Sequence, residues 1–109
     1  MKEIKGHGVA LITPFNNNGE VDFDAIPNLI NHLISGGVDY LVVMGTTAES
    51  ATLSNQEKSD LIDSIVASNA GRLPLVIGVG GNNTKQVVED INSIDLTHFS
   101  AILSVTPYY

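Results

Sequence analysis

Two short clusters in this chain combine residue types able to bind a polar substrate and move its protons. The first is Gly45-Thr46-Thr47. Glycine permits a tight backbone turn. The two threonines then offer two hydroxyls and two backbone N–H groups, the parts needed to hold a carboxylate or polarise a carbonyl. A plainer reading is a threonine-rich turn whose hydroxyls bond the local backbone. The second cluster is Tyr108-Tyr109, which follows Thr106-Pro107. A tyrosine hydroxyl relays protons when other hydroxyls align with it. The plainer reading is a pair of half-buried aromatics.

Other candidates are weaker. Glu49 has the chemistry of a base, but a buried structural carboxylate that accepts backbone N–H groups is the expected role. His7, His32 and His98 lack metal-ligand spacing and are read as structural or surface residues. No metal site and no cofactor is expected. The absence of cysteine excludes disulfides and thiolate ligation.

The elements that must position these clusters follow a regular alternation. Val9-Ala10-Leu11-Ile12 reads as a buried strand that ends at Thr13-Pro14. Asn16 to Gly19 form a polar turn. Ala25, Ile26, Leu29, Ile30, Leu33 and Ile34 then make one stripe on a helix. Asp22 or Asp24 can cap that helix; Pro27, tolerated only in a first turn, favours Asp24. Gly36-Gly37 ends it.

Asp39 to Met44 reads as a second strand, closed by Gly45-Thr46-Thr47. Ser54 and Glu57 have the spacing of a capping box, and the helix they open carries Leu61, Ile62, Ile65 and Val66. Gly71 stops it. Leu75-Val76-Ile77 is a third strand. A third helix follows with Val87, Val88, Ile91 and Ile94, capped by Asn83 or Thr84. Phe99 to Val105 is a fourth strand.

The predicted order is β-α-β-α-β-α-β in an α/β fold, with parallel strands and right-handed crossovers. An open doubly wound sheet and an eight-fold barrel both accept this order. A nucleotide-binding sheet usually has a glycine fingerprint after its first strand. Here that strand ends in Thr13-Pro14-Phe15, and Gly78-x-Gly80 is followed by Asn83 where the fingerprint needs glycine. The polar clusters also all follow strand ends, and in a barrel these gather on one face. Both features favour the barrel.

Charge and hydropathy narrow the partners. The formal net charge is −7, and Lys2, Lys5, Lys58, Arg72 and Lys85 are scattered. Nucleic-acid binding needs clustered positive charge, which is not present. No apolar run reaches the ~20 residues of a membrane span. The expected partners are small molecules or proteins, and the expected location is the cytoplasm.

The stretch Gly45-Thr46-Thr47-Ala48-Glu49-Ser50-Ala51-Thr52-Leu53 closely resembles the G-T-T-G-E-S-A-T-L motif of the dihydrodipicolinate synthase (4-hydroxy-tetrahydrodipicolinate synthase) family. Val9 to Phe15, Gly71-Arg72-x-Pro74-x-Val76 and Val105-Thr106-Pro107-Tyr108-Tyr109 resemble other parts of that family, in order along the chain. The resemblance implies a TIM (β/α)8 barrel of which residues 1–109 are the N-terminal half of a single domain. It also implies a Schiff-base lyase of the aldolase type, condensing pyruvate with aspartate-4-semialdehyde on the way to lysine and diaminopimelate. Thr46 would belong to a proton-relay triad, and Thr47 would help to hold the pyruvate carboxylate. Tyr109 would be the triad tyrosine that crosses a dimer interface, with Tyr108 at that interface. A homotetramer, a dimer of dimers, is the family expectation.

Two departures stand out. Ala48 replaces the motif's usual glycine, which is harmless unless its φ is positive. The family's Schiff-base lysine and another triad tyrosine belong to a later part of the barrel, so this chain alone is expected to be inactive. None of Lys2, Lys5, Lys58 and Lys85 falls within a strand. A half barrel would also leave two open edges, so the chain is expected to continue or, failing that, to pair with another copy.

In lysine-inhibited members of the family the effector binds near the second and third loops. Ser50, Ala51, Asn82 and Tyr108 match that site. Asn55, Lys58 and Gln86 stand where sensitive members often have histidines and a glutamate, so weak lysine inhibition is expected. Related pyruvate aldolases, of the N-acetylneuraminate lyase or 2-keto-3-deoxy-sugar-acid type, share the barrel and the imine. A nucleotide-binding or regulatory α/β module, and a half-barrel scaffold without chemistry, are the readings from other classes.

Overall fold

The computed structural model describes residues 3–108. Four strands form one parallel sheet: β1 (Gly8–Ala10), β2 (Tyr40–Val43), β3 (Leu75–Gly78) and β4 (Ala101–Leu103). Three helices alternate with them: α1 (Ile26–Ser35), α2 (Asn55–Asn69) and α3 (Thr84–Ser93). The strands lie in the order β1-β2-β3-β4. Every crossover therefore steps to the same side of the strand before it. With crossovers of one hand, all helices lie on one face. A doubly wound sheet reverses its order partway and has helices on both faces. The observed order is that of half a (β/α)8 barrel.

The register sorts the strand residues between two faces. Leu41 pairs with Leu75, and Val43 with Ile77. All four are buried with Ile26 and Ile30 of α1 and with Leu61 and Ile65 of α2. This is the layer between sheet and helices. Ala10, Val42, Val76 and Ala101 form the alternate row. Their side chains share the other face of the sheet, where Leu103 of β4 is 55% exposed.

The strands are shorter than their apolar runs. The first ends at Ala10, although Leu11 N–H still donates to the Val42 carbonyl at 3.0 Å. The fourth is confined to Ala101–Leu103; Phe99 is buried before it begins. β2 stops because Met44 turns left-handed, at φ 60°.

Helix starts differ in how well they match expectation. Ser54 and Glu57 form both bonds of the capping box: Glu57 N–H donates to Ser54 Oγ at 3.1 Å, and Ser54 N–H to Glu57 Oε1 at 2.9 Å. Asn83, rather than Thr84, caps α3 by accepting from Gln86 N–H at 3.2 Å. The aspartate cap of α1 is not observed. A 3-10 turn over Phe23–Ala25 leads directly into the helix, Ala25 occupies the cap position, and neither helical segment has a side-chain cap bond. Pro27 lies in the first turn of α1 as expected, and Gly37, at φ 86°, follows its C-terminus.

The end of α2 is tied to β3 by Asn69, a polar side chain only 2% exposed. Its Nδ2 donates to the Leu73 carbonyl at 2.9 Å, and its Oδ1 accepts from Leu73 N–H at 3.1 Å. Both ends of the buried amide are thus satisfied, as burial of a polar group requires. Arg72 adds a bond to Asn31 of α1 at 2.7 Å and to the Ser68 carbonyl at 2.8 Å.

Candidate functional site at the strand ends

The threonine pair sits directly beyond β2. Gly45 is extended, at φ −73° and ψ −179°, and a 3-10 turn then spans Thr46–Ala48. Glu49 takes the left-handed conformation, at φ 58°, and connects to a second 3-10 turn over Ser50–Thr52. Ala48 is not among the positive-φ residues, so its methyl introduces no backbone strain. It is 1% exposed and belongs to the main core cluster.

Two close approaches fix this loop. Thr13, 4% exposed and three residues beyond β1, donates its hydroxyl to the Ala48 carbonyl at 2.6 Å. On the other side is Gly78 of β3. A Cβ there would stand 2.5 Å from the Met44 carbonyl oxygen and 3.0 Å from Gly45 Cα. Only glycine leaves room for that backbone. The sequence places Thr13 among the polar groups at strand ends but gives neither it nor Gly78 a role in the site. The signal for Thr13 was its position beside Pro14 at a strand end; Gly78 had no signal beyond its glycine.

Thr46 and Thr47 are exposed. Their hydroxyls make no hydrogen bond to another described residue, whereas Thr52 Oγ1 donates to the Glu49 carbonyl at 2.8 Å. The local-turn reading thus describes Thr52 and not the pair. The turn's own ladder uses the N–H groups of Ala48 and Glu49. Glu49 departs from its expected buried role. It is exposed, and its left-handed backbone connects two 3-10 turns.

The loops after β3 and β4 meet. Tyr108 N–H donates to Asn82 Oδ1 at 2.9 Å, and the Tyr108 residue is 68% exposed. Tyr109 lies outside the described residues. Ser50 borders a cleft of 710 Å³ between α2 and α3, together with Asn55, Lys58 and Gly80. Thr46 and Thr47 do not line this cleft; they belong to the strand-end rim. Ala51 lies in the Ser50–Thr52 turn and is exposed.

None of the described lysines lies in a strand. Lys5 is exposed and 3.7 Å from Glu3, Lys58 and Lys85 are helical, and Lys2 is outside the described residues. Among the described residues no group of three or more His, Asp or Glu side chains is placed to hold a metal. No helix is long and apolar enough to cross a membrane among them. His7, His32 and His98 are all exposed.

Comparison with known proteins agrees with this geometry. Residues 3–109 match the model of the dihydrodipicolinate synthetase family. The 4-hydroxy-tetrahydrodipicolinate synthase of Flavobacterium psychrophilum is 57% identical over all 109 residues, which cover 37% of that relative. The Bacillus subtilis protein of the same name is 45% identical over 100 residues, 92% of this chain and 34% of the relative. Among solved structures, the chloride-inhibited dihydrodipicolinate synthase of Acinetobacter baumannii complexed with pyruvate superposes with a TM-score of 0.91. Its identity is 34%, over 98% of this chain and 37% of that one. N-acetylneuraminate lyase from Mycoplasma synoviae gives a TM-score of 0.80 at 28% identity, over 94% and 36% of the two chains. The chain therefore spans a little over a third of the length of such relatives.

Proposed function

Because the chain belongs to the dihydrodipicolinate synthetase family, we propose that it is the N-terminal half of a single barrel domain, residues 1–109, in a lyase that condenses pyruvate with aspartate-4-semialdehyde. This is the first committed step toward diaminopimelate and lysine. A lysine amine, expected beyond Tyr109, forms an imine with the pyruvate ketone and releases water. Loss of a methyl proton then gives an enamine, whose carbon attacks the aldehyde.

Each step releases or takes up a proton. Thr46 is assigned to the relay that moves it, and Tyr109 completes the relay across a dimer interface beside Tyr108. Thr47 is assigned to the pyruvate carboxylate. A chain of hydroxyls moves protons without placing a full charge in a site closed to water. The observation that best supports these roles is the exposed Thr46-Thr47 turn, whose hydroxyls the local backbone does not occupy. The enzyme is assigned to the cytoplasm and to a homotetramer of complete chains.

The likeness to N-acetylneuraminate lyase supports a second reading, a related pyruvate aldolase with a different aldehyde. The higher identity to the dipicolinate enzymes favours the first.

The test is an intact mass after incubation with pyruvate and borohydride. The expected result is a polypeptide heavier than the 11.6 kDa of this chain, carrying one reduced pyruvate. The 109-residue chain alone takes up none. A selective adduct on Lys2, Lys5, Lys58 or Lys85 would overturn the assignment of the nucleophile. Comparing turnover with aspartate-4-semialdehyde and with N-acetylmannosamine decides between the two aldolase readings.

A further inference from the structure

The end of β4 and the chain beyond it meet the loop after β3 at Leu103, Val105 and Tyr108. Val79 N–H donates to the Leu103 carbonyl at 3.0 Å. At Gly80 the two loops come close: a Cβ there would stand 3.3 Å from Val105 Cγ1 and 3.7 Å from Val105 N. Asn82 Oδ1 then accepts Tyr108 N–H at 2.9 Å, across 26 residues of sequence.

The adjacent asparagines have separate duties. Asn83 Oδ1 is engaged by Gln86 N–H at the start of α3. Asn82 lies just outside the helix and reaches the other loop. Pro107 has no N–H to offer. Tyr108 is thus the first residue after Thr106 whose backbone can donate to this loop.

We propose that Asn82 is a positioning residue, whose side-chain oxygen fixes the backbone at Tyr108, the residue before the relay tyrosine proposed above. This rests on the relay role given to Tyr109 above. A relay requires its hydroxyls within hydrogen-bond reach of one another. A misplacement of about 1 Å is enough to slow such a reaction ~100-fold. Asn82 is exposed, so its replacement does not disturb the core.

The test compares Asn82→Ala and Asn82→Asp in the full-length protein. Alanine removes the acceptor, whereas aspartate keeps an oxygen in place. Asn82→Ala is expected to lower kcat about tenfold, the worth of one hydrogen bond, with the KM for pyruvate changed less than about twofold. Asn82→Asp is expected to restore most of kcat. Amide hydrogen exchange at Tyr108 gives a readout independent of catalysis: it is expected to speed up in Asn82→Ala and not in Asn82→Asp. An active wild type with an unchanged Asn82→Ala variant, or equal Tyr108 exchange in all three proteins, would overturn the positioning role alone. A wild type that forms no pyruvate adduct would overturn the function on which it rests, and the role with it.

Discussion

Thr13 Oγ1 donates to the carbonyl of Ala48 at 2.6 Å, joining the segment after β1 to the turn that presents Thr46 and Thr47. Both residues are buried, so water does not compete for the bond. Thr13→Val keeps the shape and removes the donor. The Ala48 carbonyl is then buried without its partner, which costs about 1–3 kcal/mol. A lower urea midpoint with an unchanged m-value is the expected outcome. Thr13→Ser keeps the donor and should recover most of the loss. Equal midpoints for the valine variant and wild type would show that the bond contributes nothing.

Ala70 presents the opposite case, a residue whose backbone is strained. It ends α2 at φ 50° and ψ 38°, a conformation suited to glycine. An L-residue there costs about 1–2 kcal/mol. The Ala70 side chain is exposed, so Ala70→Gly loses no packing, and the bond from its N–H to the Val66 carbonyl at 3.1 Å remains. Glycine also makes the unfolded chain freer, which offsets part of the gain. The expected net effect is stabilisation of ~0.5–1 kcal/mol, read as a higher melting temperature. A lower melting temperature would count against the strain argument.

Why some features were legible and others not follows from how local their causes are. The capping box at Ser54 and Glu57 is a four-residue device, and its spacing suffices to identify it. The strand order was open from sequence, because β-α alternation alone does not say to which side each crossover steps. Asp24 was misread as a cap because a 3-10 turn leaves the same apolar spacing while moving the helix start to Ile26. Gly78 and Met44 were not legible at all. Their conformations answer to a contact between two strands, with the Met44 carbonyl where a Cβ of residue 78 would be. The threonine pair was legible because its chemistry lies in its residue types. Its support by Thr13 depends on a contact 35 residues away.

Asp95 should make stability depend on pH in the acid range. Its carboxylate accepts from the hydroxyl and the N–H of Thr97, in the turn between α3 and β4. These bonds, the hydroxyl first, hold its pKa below the ordinary 3.8, and nearby His98 acts in the same direction. A carboxyl whose folded pKa is depressed stabilises the fold above its unfolded value, and this contribution is lost as pH falls through the folded value. Asp95→Asn removes the titration. Wild type should therefore lose more stability than the variant on acidification below about pH 4. Thermal melts over that range check this, and superimposable acid limbs would remove Asp95 from the account.

The loops that support the proposed relay also bear on regulation. Ser50, Asn55, Lys58 and Gly80 border one cleft, and Asn82 is bonded to Tyr108. If lysine approaches this region as it does in inhibited members of the family, it meets the Lys58 ammonium. Two cations about 4 Å apart repel by ~1 kcal/mol in water and ~4 kcal/mol near a protein surface. Gln86, another of the three departures, brings no carboxylate of its own to offset this. Its Nε2 is engaged with Asp90 Oδ1 at 2.9 Å. Sub-millimolar lysine is therefore expected to leave the activity of the full-length enzyme unchanged. Lys58→Gln removes the repelling charge and should lower the lysine concentration needed for inhibition, by about fivefold or more. Assays of initial rate against lysine concentration decide the matter. Strong inhibition of the wild type at sub-millimolar lysine would mean that Lys58 turns away from the effector, and the electrostatic argument would fail.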